Sequence, residues 1–106
     1  MAAKNKLQAT ARIVFDCSTL TGSYALAGSF TDELVVLKIY NASSNDIDVS
    51  YNGSADQDVY PANSPFVLDV QSNKEGDRAA WPAKVPFYIK GTASAGNLYI
   101  IGYKLE

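Results

Sequence analysis

Short stretches rich in β-branched and aromatic residues alternate with polar, turn-forming clusters that recur every eight to twelve residues. That spacing predicts an all-β sandwich or barrel. The candidate strands are Ala9–Phe15, Ser23–Ala27, Leu34–Tyr40, Asp46–Tyr51, Gln57–Tyr60, Phe66–Val70, Val85–Gly91 and Leu98–Lys104. Seven or eight strands in one unit is a sandwich count, so the expected fold is a single antiparallel β-sandwich of jelly-roll or Ig-like topology. No eleven-residue window carries a 3.6-residue apolar period, and Lys4–Ala11 reads as an extended arm.

Three stretches carry finer expectations. Leu34–Tyr40, LVVLKIY, is nearly continuous in apolar residues, as a strand buried on both faces would be. Asp46–Tyr51 alternates, with Ile47, Val49 and Tyr51 on one face and Asp46, Asp48 and Ser50 on the other. Asn52-Gly53 follows at once and predicts a two-residue type I′ hairpin, because both residues tolerate positive φ. Pro61 and Pro65 are expected to bracket a loop, Gln71–Asp77 to form another, and 93–97 to close a short hairpin. Tyr51, Phe87, Ile89, Tyr99 and Ile101 fall at expected core positions.

Length and composition narrow the function. The 106 residues make one domain, 1–106, with 1–7 as a possible flexible arm. Histidine is absent, which removes the commonest general base and metal ligand together. A single cysteine, Cys17, excludes an internal disulfide. Net charge is −2, and the nine cations form no stripe, so no nucleic-acid partner is expected. Neither a signal-peptide core nor a membrane span is visible, which predicts synthesis in a cytoplasm and no membrane partner.

The order of motifs from Ser23 onward resembles small structural proteins encoded by tailed bacteriophages. The shared features are a Tyr24-Ala25-Leu26-Ala27-Gly28 turn and an apolar strand ending in Asn, Lys38-Ile39-Tyr40-Asn41. The segments Asp48-Val49-Ser50-Tyr51-Asn52-Gly53, Leu68-Asp69-Val70 with Asn73-Lys74, Tyr88 to Thr92 and Gly96 to Tyr99 continue the match. The resemblance implies a β-sandwich virion protein: a head decoration or cement subunit, or else a tail or head–tail adaptor component. It implies the major capsid protein and further copies of the chain as partners, and the virion as location. It supplies no catalytic residues.

Candidate chemistry is sparse. Asp46, Asp48, Asp56 and Asp58 could converge across the hairpin into a Ca²⁺ patch, although no DxDxDG-type loop is present; a solvated outer face is the plainer reading. Cys17 has neither His nor a nearby cation to activate it. No Ser-x-x-Lys or Gly-x-Ser-x-Gly motif supports a nucleophile. No enzyme activity, cofactor or metal is expected. Seven tyrosines and one tryptophan point to contacts, since such side chains bury large area and keep a polar tip. Tyr60 and Trp81, beside prolines, and Leu7, at the end of the arm, are the candidate interface residues, with a lid over the sandwich as the rival role for the two aromatics. From another functional class, a receptor- or carbohydrate-binding sandwich would use the same aromatics.

Overall fold

The computed structural model describes residues 7–69 and 81–105. Among them are nine strands: β1 (Leu7–Ala9), β2 (Ile13–Asp16), β3 (Ala25–Gly28), β4 (Val36–Asn41), β5 (Ile47–Ser50), β6 (Asp58–Tyr60), β7 (Ser64–Asp69), β8 (Phe87–Lys90) and β9 (Asn97–Leu105). The one helical segment among the described residues is a single 3₁₀ turn, Cys17–Thr19, begun by Asp16, whose side chain accepts from the Ser18 N–H. Two antiparallel sheets result. The first runs β1–β9–β4–β7, with β2 also on β9, and the second runs β3–β8–β5–β6.

β1 and β2 are one strand interrupted by a bulge. Ala9 pairs with Tyr103 and Ile13 with Ile100, so four residue steps face three. Thr10 holds the irregular stretch by donating its N–H and its hydroxyl to the Gly102 carbonyl, each at 2.9 Å. Counted this way there are eight strands, and each connection passes from one sheet to the other except β5–β6. That is jelly-roll order.

The core follows from the period-2 alternation of the inner positions. Leu37 and Ile39 of β4 and Leu98 and Ile100 of β9 meet Ile47, Val49, Phe87 and Ile89 of the second sheet. Each such side chain contributes roughly 1.5–3 kcal/mol by leaving water. Pro65 lies within β7 rather than in a loop; β7 is an edge strand, where a missing N–H is tolerated. Val70, the predicted 71–77 loop and residues 1–6 of the arm lie outside the described residues.

Four further expectations are corrected. β4 is central, but only one of its faces is buried: Leu37, Ile39 and Asn41 point inward, while Lys38 and Tyr40 are exposed. On β9 the inward residues are Leu98 and Ile100, so Tyr99 and Ile101 stand on the outer face. In Leu-Tyr-Ile-Ile both faces are apolar, and composition alone cannot fix which set turns in. The 93–97 segment is not a hairpin, because β8 and β9 belong to different sheets. Asn52-Gly53 is not a type I′ turn either. β5 and β6 do pair, Val49 opposite Asp58, but through a longer loop in which Gly53 has positive φ (79°) and Asn52 does not.

One buried polar group ties the corner after β4. Asn41 is fully buried and makes four hydrogen bonds. Its Nδ2 donates to the carbonyls of Asn45 and Tyr60, both at 2.9 Å, and its Oδ1 accepts from the Ser43 N–H at 3.0 Å and hydroxyl at 2.6 Å. Removing it strands several groups in a dry site, each at about 1–3 kcal/mol. Asn41→Ala is therefore expected to destabilise by about 3 kcal/mol. A urea-melt midpoint unchanged from wild type would show that water replaces the side chain.

Candidate interaction surface

The two outer sheet faces differ in kind. On the second sheet the chain covers itself. The loop after β5 folds back so that Gly53 lies over the Tyr88 ring, where a Cβ would stand 3.2 Å from it. Ser50, outward by alternation, is thereby fully buried; its hydroxyl donates to Asn52 Oδ1 at 2.9 Å and accepts from the Gly53 N–H at 2.9 Å. Further along, Asp56 reaches Lys90 at 3.2 Å and accepts from the Tyr24 hydroxyl, while the Lys90 ammonium lies 4.7 Å from the Tyr24 ring centre. The Tyr24 hydrogen bond, then Lys90, hold the Asp56 carboxyl below its ordinary range; bonding to Asp56 in turn pushes Lys90 up.

Among the described residues nothing covers the outer face of the first sheet, and that face is largely apolar. Across its middle run three rows in register: Val14, Tyr99, Tyr40 and Pro65; Ile101, Lys38 and Val67; Ala9, Tyr103, Val36 and Asp69. Val67 is 61% exposed and Leu7, at the edge, 55%; Val14 and Tyr40 are also exposed. Tyr40 and Tyr99 stack at 6.3 Å with ring planes 12° apart. Two cations stand over rings, Arg12 5.6 Å from the centre of Tyr99 and Lys38 5.6 Å from that of Tyr103. Such contacts hold a charge flat against an aromatic surface without burying it.

The predicted site residues separate. Leu7 sits on the rim of this open face, paired with Leu105. Tyr60 is corrected: at 1% exposure it belongs to the core, and no partner can reach it. Its hydroxyl lies 3.0 Å from that of Tyr51, which donates to Asp58 at 2.7 Å; burial pushes the Tyr60 phenol up to about 12 and the Tyr51 phenol up as well. Trp81 takes the lid role. It bridges to Leu34 through the backbone, stacks on Phe87 at 5.8 Å and meets Tyr51 edge-on at 4.9 Å.

The four aspartates do not converge on a common point. Asp46 accepts from the Ala62 N–H, Asp56 binds Tyr24 and Lys90, and Asp58 binds Tyr51. Among the described residues no three His, Cys, Asp or Glu side chains are grouped to hold a metal ion. Cys17 is buried, and burial pushes its thiol up, away from the reactive thiolate. Among the described residues no helix is long and apolar enough to cross a membrane.

Tyr40, Val67, Tyr99 and Tyr103 are the residues that sequence reasoning missed. Their signal was the doubly apolar run of β4 and β9, which reads as two buried faces. Only one of those faces is buried by the described residues. Compared with known proteins, the chain matches no family model, no curated protein and no solved structure.

Proposed function

We propose that this protein is a virion structural protein of a tailed bacteriophage, a capsid decoration or cement subunit that works by contact and not by catalysis. The observation that carries the reading is the uncovered aromatic face of the first sheet. Exposed apolar and aromatic side chains grouped on one face mark interaction sites. The phage-like motif order described above supports it, and so does the jelly-roll order, an architecture that viral capsid domains use; the latter support is analogy at the level of fold. The partners in this reading are the major capsid protein and further copies of the chain. Many copies, each with a modest interface, would lock a shell by avidity.

Mass spectrometry of purified particles should find the chain at a fixed stoichiometry to the major shell protein. Stripped particles should take up the wild-type chain at both low and high salt. A chain lacking residues 1–7 should fold yet be retained less, because it loses Leu7 from the rim of the open face. Absence from particles, or equal retention of the two chains, would overturn the reading.

A further inference from the structure

We infer that the open face of the first sheet is occupied by a second copy of the chain, docked head-to-tail through its β5–β6 side. This inference rests on reading that face as a contact surface, and it names the occupant. Two surfaces of the one molecule are complementary. The open face carries Arg12 and Lys38 laid over Tyr99 and Tyr103. The β5–β6 side carries Asp48 and Asp56, with the Lys90 ammonium 3.2 Å from Asp56 alone. Asp48, Asp56, Gln57, Asp58 and Val59 line a shallow hollow there of about 340 Å³, with Val59 exposed at its side. A cationic side chain held flat by an aromatic ring fits such a hollow, and Val59 offers apolar contact beside it.

The same charges disfavour the symmetric alternative. Two open faces packed on one another would bring Arg12 and Lys38 of both copies together, and like charges in apposition oppose association. A head-to-tail contact uses different surfaces on the two copies, so it does not close after two and builds chains or rings. The open face spans four strands about 4.8 Å apart and roughly six residues of 3.3 Å rise, and with its counterpart buries roughly 800 Å². That is smaller than a stable specific interface and in the range of weak, transient contacts. Association should therefore be weak and concentration-dependent in solution, with apolar contact supplying affinity and charge supplying orientation.

Sedimentation velocity on the purified chain tests this over about 10 to 500 µM, the range a small interface implies. The weight-average sedimentation coefficient should rise with concentration for wild type. Arg12→Glu/Lys38→Glu blocks the open face, and Asp48→Lys/Val59→Lys blocks the other side. Each variant alone should stay monomeric. Mixed in equal amounts they should form dimers and stop there, because each copy retains one live surface. Circular dichroism confirms folding, and Val67→Lys on the exposed edge strand replaces the first variant if that one misfolds. A wild-type chain monomeric throughout the range would overturn the inference, as would a mixture that stays monomeric. Dimerisation of Asp48→Lys/Val59→Lys by itself would establish face-to-face packing instead. Wild-type protein that is monomeric yet binds particles would sink the inference and leave the virion reading standing. The converse result would do the opposite.

Discussion

Ile39→Asp is expected to leave no folded protein, while Tyr40→Asp, one residue further on, is expected to fold. Ile39 is 2% exposed, at the middle of β4 with β9 on one side and β7 on the other. A carboxylate there loses the roughly 1.5–3 kcal/mol of the isoleucine side chain and adds a buried charge without a partner. The sum rivals the 5–15 kcal/mol that holds a typical domain together. Tyr40 is 45% exposed and points the other way, over the open face. Its replacement loses the stack on Tyr99, worth about 0.5–1.5 kcal/mol, and leaves the core intact. Soluble yield and the circular dichroism of both variants check the pair. In sedimentation, Tyr40→Asp should also abolish association, since a carboxylate beside Arg12 and Lys38 would neutralise the face. A folded Ile39→Asp variant would show that β4 can slip by one residue and exchange its two apolar faces.

Gly96→Ala is expected to be the most damaging of the small changes. Gly96 lies in the β8–β9 crossover with φ of +110°, a region that side chains avoid. A Cβ there would stand 2.2 Å from the Ala42 carbonyl oxygen and 2.9 Å from its carbon, both backbone atoms with little freedom to yield. The neighbourhood is tied on every side. Gly96 accepts from the Cys17 N–H at 3.0 Å, Ala42 donates to the Asn97 carbonyl at 2.9 Å, and Ser94 donates to the Cys17 carbonyl at 3.2 Å. Backbone strain of about 1–3 kcal/mol and overpacking of similar size add. Together they should lower Tm by on the order of 15 °C in a domain of this length. Gly22→Ala is the control: nothing lies within 4 Å of its Cβ position, and its melting curve should match wild type closely. Equal curves for the two variants would mean that the crossover moves as a unit and does not press on the β4 corner.

The sequence by itself was enough for the elements and the class. Turn clusters and β-rich stretches located eight strands, and the alternation in Asp46–Tyr51 correctly turned Ile47 and Val49 inward. The return strand before Pro61 was equally legible, because β-branched and aromatic residues between turn formers have few other conformations to adopt. Sheet membership was decided only in three dimensions. The 93–97 segment carries the chemistry of a hairpin, yet it crosses between sheets because β8 is claimed by β3 and β5, and β9 by β4 and the N-terminal strand. Facing was equally hidden where both faces are apolar. In β4 and β9 the local pattern is the same whether a residue packs inside or waits on the surface, so Tyr99, expected in the core, stands on the outer face. The open face could be recognised only after folding, because its apolar surface exceeds what one core can absorb, and that excess becomes visible once the inward set is filled.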